Sequence, residues 1–170
     1  MTGEELKSLQ APLKEKYRNA PADAIITLRA EGRVGEGISC KLETRQALVE
    51  AGLHPATGGD GSLACSGDLL LEALVACAGV TLCAVATAIG VDIKDGKVSA
   101  EGDLDFRGTL GVSKEVPVGF GAIRLYFDLD TNATADQLQT LQKLTERYCV
   151  VYQTLVRGLA VETSMKQRIA

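Results

Sequence analysis

The sequence predicts a single α+β domain whose strands pair mainly antiparallel. Three observations favour this class. Residues Ala122 to Asp130 alternate apolar and polar side chains, as a half-buried strand does. Residues Ser66 to Gly90 begin with polar residues typical of a helix start and continue for about 19 residues from Ala73 without a charge. Around this helix the order of elements is strands, long helix, strands, helix, strand, with no linker of domain-boundary length.

Composition excludes several classes of protein. The 170 residues fit one domain, and 46% hydrophobic with 24% charged residues is globular composition. With a net charge of -4 and scattered Lys and Arg residues, the sequence shows no basic patch of the kind that binds nucleic acid. Met1 to Tyr17 mixes Glu with Lys and has no apolar core, so we expect no secretion signal and a cytoplasmic protein. Five cysteines without a short-spaced framework are expected to be reduced thiols.

The first third of the chain predicts a helix and a hairpin. Residues 4–18 form a short amphipathic pattern, with Pro12 as an interruption and Pro21 as its end. The hairpin consists of two alternating strands and a glycine-containing turn: 23–31, 36–43 and Gly32 to Gly37. Residues 47–53 add a possible extended piece, and a breaker-rich loop at 54–62 leads into the long helix.

The second half predicts further strands and one more helix. Lys97 to Phe106 alternates as a strand, and 107–119 is an irregular connection. Thr134 and Gln137 have the spacing of a capping box that begins a helix, and Gly158 ends that helix. Leu159 to Met165 alternates as a last strand.

The long apolar helix has three possible interpretations: a membrane span, a plain core helix, or a core helix that presents a reactive thiol. Its length matches a span of a bilayer core of about 30 Å. It lacks aromatic residues at either end and a neighbouring Lys/Arg cluster, which favours a core helix wrapped by sheet or by a partner subunit. Ser66 is the expected N-cap, Asp68 a favourable first-turn carboxylate, and Gly90 the left-handed residue at the end.

The cysteines supply the candidate chemistry. Cys77 and Cys83 are about 240° apart around a helix, too far to share a disulfide or a metal. The chain has no CxxC pair, and its sole histidine, His54, lies in the loop, so we expect no metal site. Cys77 and Cys149 could meet if their helices cross. The remaining cysteines are expected to be small buried hydrophobes: Cys40, Cys65 and Cys83.

An ordered set of motifs resembles the osmotically inducible protein C / organic hydroperoxide resistance family, OsmC/Ohr. The motifs are GGDGSLACSGDLL, LLLEALVACAGVTL around Cys77, ERYCVVYQTLVRG around Cys149, and the terminal AVETSM. The resemblance covers most of residues 23–166. It implies one OsmC-like domain over 1–170 with an N-terminal helical extension of about 1–20, and an intertwined homodimer in which sheets wrap two long central helices.

The resemblance also implies chemistry. In peroxidase members the cysteine matched by Cys77 attacks an organic hydroperoxide as a thiolate. The cysteine matched by Cys149 captures the sulfenic acid as a disulfide, which a dithiol then reduces. No cofactor is implied.

The sequence departs from the family pattern around the first cysteine. Family peroxidases carry a Pro-Glu pair ahead of the helix, where this chain has Ser66-Gly67, and often a Pro after the second cysteine, where it has Val150. Asp68 is a candidate substitute for the glutamate that holds an activating arginine.

No local motif identifies that arginine. Arg45 is our choice over Arg33 and Arg29. Two function classes therefore stay open: a cysteine-based hydroperoxidase that uses Cys77 and Cys149, and a non-catalytic OsmC-like dimer that binds a small apolar ligand and keeps both cysteines as structural residues.

Overall fold

The structure is a computed structural model, and it describes residues 3–34, 40–42, 51–165 and 167. Its α-helices are α1 Gly3–Asn19, α2 Ser66–Ile89, α3 Phe106–Thr109, α4 Ala135–Tyr148 and α5 Val150–Arg157. Its strands are β1 Ile25–Val34, β2 Cys40–Leu42, β3 Ala51–Gly52, β4 Ala64–Cys65, β5 Ile93–Asp105 and β6 Phe120–Thr131. Short 3-10 helices lie at Pro21–Ala24 and Pro55–Thr57. The predicted α+β class is confirmed.

The main sheet is antiparallel and has four strands in the order β2-β1-β5-β6. The predicted hairpin is present, because Val34 pairs with Cys40 and Gly32 with Leu42. β5 lies centrally and pairs with β1 on one side and with β6 along most of its length on the other. β3 and β4 form a separate, two-stranded parallel pair. β6 is therefore an edge strand of the main sheet.

Helix α2 packs across this sheet and forms the main core. It contacts β1 and β5 of the sheet and also α4 and α5. Its buried side chains join those of β5 and α4 in one cluster: Leu71, Leu74, Val75, Ala78, Leu82, Val98, Ala100, Leu141 and Cys149. Within the described part of the chain, α2 alone is long and apolar enough to cross a membrane, and half of its most apolar window is buried in the protein.

The ends of α2 follow the sequence prediction except for the N-cap. Cys65, with extended backbone, holds the N-cap position, and Ser66 is already the first helical residue. Asp68 lies in the first turn, as predicted. Gly90 adopts φ 71° and donates its N–H to carbonyls of the last turn, which stops the helix as expected of a left-handed glycine.

A second cluster ties the N-terminal helix to the rest of the domain. Tyr17 of α1 packs with Ala24, Phe106 and Leu110, and its hydroxyl donates to the Ala56 carbonyl at 2.9 Å. The prediction that Pro12 interrupts this helix is wrong, because α1 runs through it. A proline removes one helical hydrogen bond. The packing of the last turns of α1 outweighs that loss.

Two predictions about the C-terminal region are also wrong. The expected single helix is divided at Cys149, whose ψ of 111° is extended, so that α4 ends and α5 begins there. The expected strand at Leu159 to Met165 is irregular and exposed. Alternating apolar and polar side chains suit a segment to a sheet, but a strand also needs a neighbouring strand to hydrogen-bond with. Within the described residues no strand pairs with the outer edge of β6.

Candidate active site

The structure brings the two predicted cysteines together. Cys77 lies half-buried on α2, and Cys149 lies between α4 and α5 with 1% of its surface exposed. The two side chains are hydrogen-bonded to each other, and both are free thiols. Because Cys149 comes 72 positions after Cys77 in the chain, this contact depends on the packing of α4 and α5 against α2.

Cys149 occupies two caps at once. Its N–H donates to the Thr145 carbonyl at 2.9 Å, the last helical bond of α4, and its extended ψ ends that helix. Its Sγ accepts the Tyr152 N–H at 3.4 Å and so begins α5. The Thr134–Gln137 capping box at the other end of α4 is present as predicted. The break at Cys149 points the first amides of α5 toward the cysteine pair.

These amides set the protonation of Cys77. Burial is the largest single influence and alone would raise the pKa of the Cys77 thiol. Hydrogen bonds from the backbone N–H groups of Val151 and Val150, and from the side chains of Cys149 and Thr81, stabilise the thiolate. Together they outweigh burial, so the pKa of Cys77 lies below its ordinary value. The thiolate is the nucleophilic form of cysteine, and the amides of a helix N-terminus stabilise it.

Cys149 is shifted the other way. Burial is the main cause that raises its pKa to about 11, and the hydrogen bond and charge of Cys77 add to the rise, while the Tyr152 amide opposes it. The pair therefore contains one thiol that ionises more readily than an ordinary cysteine and one that holds its proton at neutral pH. Cys77, the more exposed of the two, is therefore the cysteine that more readily forms a thiolate.

Comparison with known proteins identifies the family. The family of OsmC-like proteins matches residues 59–164, which is more than half of the chain. This chain belongs to the OsmC-like family. No curated protein sequence matches it.

Two solved structures share the fold of this OsmC-like protein. An OsmC-like hydroperoxide resistance protein from Jannaschia sp. CCS1 is similar with a TM-score of 0.64 and 18% identity, over 85% of this chain and 95% of that one. An OsmC-like protein from Mycoplasma pneumoniae is similar with a TM-score of 0.55 and 16% identity, over 78% of this chain and 85% of that one. At these identities the likeness concerns the fold.

Of the two predicted supporting residues, only Asp68 lies within the described structure, and it is distant from Cys77 along α2. Asp68 precedes Cys77 by nine residues, about 13 Å along the helix axis, so any support it gives Cys77 acts through another residue. Its charge instead acts on His54 and Glu72, and the pKa of Glu72 is raised first by burial and then by Asp68. Arg45 lies outside the described residues, as do the side chains of the other two candidate arginines.

Sequence reasoning missed three groups of this OsmC-like site. Thr81 follows Cys77 by four residues, and helical spacing alone could have identified it. The N–H groups of Val150 and Val151 could not have been found that way, because a continuous helix would have bonded both to carbonyls of the preceding turn. The chain break at Cys149 makes them available to a thiolate.

Two further cysteines, Cys65 and Cys83, are also free thiols. Cys83 is buried in the core, which agrees with its expected role, whereas Cys65 is only half-buried at the start of α2. Among the described residues, no cluster of three or more His, Cys, Asp or Glu side chains is arranged to hold a metal ion.

Proposed function

We propose that this OsmC-like protein is a thiol peroxidase that reduces organic hydroperoxides with Cys77 and Cys149. The observation that carries the proposal is the contact of the two thiols at the start of α5, where the pKa of Cys77 is lowered and the pKa of Cys149 is raised. A nucleophile and a neighbouring protonated thiol are the two parts that a disulfide-forming peroxidase needs.

The chemistry proceeds in three balanced steps. The Cys77 thiolate attacks the terminal oxygen of the hydroperoxide, the O–O bond breaks, and the departing alkoxide takes up a proton to become an alcohol. Cys77 is now a sulfenic acid. Cys149 attacks its sulfur, a disulfide forms, and water leaves. A dithiol then returns both cysteines to thiols by two-electron exchange.

The surroundings favour an organic substrate over a small polar one. Cys77 packs against the apolar core cluster, and its α2 neighbours are small or aliphatic. Such a surface binds an alkyl or aryl group by burying it. We propose hydroperoxides with an apolar substituent as the substrate class.

We further propose that two copies pair through α2. The helix leaves an apolar stripe uncovered at three- and four-residue spacing, including Leu70, Ala73 and Val80, and half-buried Cys77 falls on it. The inward side chains of β6 are only partly buried. A second copy would cover both surfaces. Sedimentation velocity should give twice the 17.9 kDa chain mass, and a monomer with Cys77 still reactive would contradict the pairing.

The peroxidase proposal predicts a specific product. Reduced protein treated with one equivalent of cumene hydroperoxide should lose two hydrogens, and peptide mass mapping should place the loss in a Cys77–Cys149 disulfide. Cys149→Ser should instead accumulate a sulfenic acid at Cys77, trapped with dimedone. Cys83→Ser is the matched control and should behave as the parent. A Cys77 that remains an unreacted thiol under these conditions would refute the peroxidase.

One observation favours the second candidate, a non-catalytic protein that binds a small apolar ligand. A cleft of about 470 Å³ lies between α2, β6 and α4. Most of the residues that line it are apolar: Leu82, Leu125, Tyr126, Phe127, Leu129, Leu138, Leu141 and Gln142. An inert Cys77 in the peroxide experiment, together with saturable binding of an apolar dye that Leu138→Asp abolishes, would support this candidate instead.

A further inference from the structure

Thr145 carries a buried hydroxyl with no hydrogen-bond partner. Its side chain is 1% exposed, and its Oγ1 is unpaired. A threonine inside a helix ordinarily donates to a carbonyl of the preceding turn. An unpaired buried hydroxyl costs stability, so its presence requires an explanation.

Thr145 lies on the same buried face of α4 as Cys149. Leu141, Thr145 and Cys149 follow one another at four-residue spacing, and each is 1% exposed. Leu141 and Cys149 pack into the core cluster with α2, so this buried face of α4 is turned toward the helix that carries Cys77. The Thr145 carbonyl also accepts the Cys149 N–H at 2.9 Å. Thr145 thus lies one helical turn from the resolving thiol, on the same side of α4.

A second buried threonine shows the ordinary structural arrangement. Thr57 is also buried, and its hydroxyl donates to the His54 carbonyl at 2.8 Å. This chain therefore satisfies a threonine hydroxyl where the residue serves packing alone. Thr145 differs in that its hydroxyl is unpaired and that it lies one helical turn from Cys149, on the same buried face of α4.

In the reduced protein the cysteine pair presents only sulfur, which is a weak hydrogen-bond acceptor. Oxidation of Cys77 to a sulfenic acid adds an oxygen atom, which is a stronger hydrogen-bond acceptor than sulfur. The next step also requires proton movement, because Cys149 holds its proton at neutral pH, with a pKa of about 11, and hydroxide is a poor leaving group without a proton.

We propose that Thr145 is a catalytic residue of the resolving step, where its hydroxyl binds the sulfenic oxygen of Cys77 and relays the proton of Cys149 to it. The inference rests on the proposed peroxidase function. As the Cys149 sulfur attacks, its S–H bond breaks and the proton passes to the Thr145 oxygen. The hydroxyl proton of Thr145 passes to the departing oxygen, the S–O bond breaks, the S–S bond forms and water leaves. Thr145 ends the step as it began.

The test separates the two steps of the reaction. Thr145→Val keeps the branched shape and removes the hydroxyl. Sulfenic acid formation, followed by stopped-flow with cumene hydroperoxide and dimedone trapping, should stay within about twofold of the parent. Disulfide formation, followed by quenched-flow mass analysis, should slow by about 100-fold, the lower end of general acid–base contributions. The melting temperature should be equal or higher, since an unsatisfied polar group is gone.

Two further variants guard against an effect of packing. Thr145→Ser restores a hydroxyl in a smaller side chain and should recover most of the resolving rate. Thr145→Ala is a second variant without the hydroxyl, and it should show the same slow step if Thr145→Val fails to fold. Thr57→Val is the matched control: it should lower the melting temperature and change neither rate.

The possible failures are distinguishable. If Thr145→Val and Thr145→Ala form the disulfide at the parental rate while sulfenic acid still forms, the role of Thr145 is refuted and the peroxidase stands. If the parent protein forms no sulfenic acid, the peroxidase proposal fails, and this inference fails with it.

Discussion

The two hydrophobic clusters of this protein treat their polar groups in opposite ways. In the N-terminal cluster, the Tyr17 hydroxyl donates to the Ala56 carbonyl at 2.9 Å, and next to Ala56 the Thr57 hydroxyl donates to the His54 carbonyl at 2.8 Å. Around the cysteines, Thr145 keeps an unpaired buried hydroxyl, and Cys77 lies half-exposed on an open apolar face of α2.

This difference separates a region that contributes stability from one that leaves interactions unmade. Each satisfied buried hydroxyl removes a desolvation cost that an unsatisfied one retains. Sites of reaction and of assembly commonly carry such unmet interactions, because they are completed only by a substrate, an intermediate or a partner. The contrast predicts that mutations in the first region change stability, whereas mutations in the second change reactivity.

The largest expected effect lies in the N-terminal cluster. Tyr17→Ala removes a ring that is 3% exposed and leaves a cavity, so the free energy of unfolding should fall by about 3–5 kcal/mol. Urea denaturation measures this loss. Tyr17→Phe, which keeps the ring and removes only the hydrogen bond to Ala56, should lose about 1 kcal/mol.

Reactivity provides the control for this prediction. Under conditions where Tyr17→Ala is folded, the rate at which Cys77 forms its disulfide with Cys149 should match the parent. A slowed reaction in the folded variant would mean that the two regions are coupled, and the comparison would not hold.

A smaller effect is expected at the start of α5. Val150→Pro removes one N–H that stabilises the Cys77 thiolate, and the fold should accept it: Val150 is the first helical residue, and Cys149 before it already has the extended backbone that proline requires. Losing a donor to the charged form raises the pKa of a thiol. Iodoacetamide alkylation of Cys77 at pH 7 should slow by about tenfold, since a hydrogen bond to a charged group contributes on the order of 1.5–3 kcal/mol.

The pH profile gives the sign of this effect. The parental alkylation rate should reach half its plateau below the ordinary thiol pKa of about 8.5, because the folded protein favours the thiolate. The midpoint for Val150→Pro should move to higher pH. Val150→Ala keeps the N–H and should follow the parental profile, so an equal shift in both variants would assign the effect to the side chain.

Local signals predicted much of the fold. The Thr134–Gln137 capping box, the left-handed Gly90 and the alternation of β6 each depend on a few neighbouring residues, and all three are present. The predictions that were wrong involve distant packing. Pro12 stays inside α1 because Tyr17 is anchored in a cluster with residues far along the chain.

The same distinction applies to the cysteine site. Cys77 and Cys149 could be proposed from their motifs, and the structure places them in contact. The backbone groups that lower the pKa of Cys77 could not be proposed, because Val150 and Val151 donate to Cys77 only after the chain breaks at Cys149.

The sequence alone determined the α+β class and the ends of the long helix apart from its N-cap, and it singled out Cys77 and Cys149 as candidate site residues. These follow from periodicity, capping residues and motifs within short windows. Only the tertiary structure decided which thiol ionises and which hydroxyl lacks a partner. Both depend on how α4 and α5 pack against α2, and a pKa or an unmet hydrogen bond is a property of groups that meet across that interface.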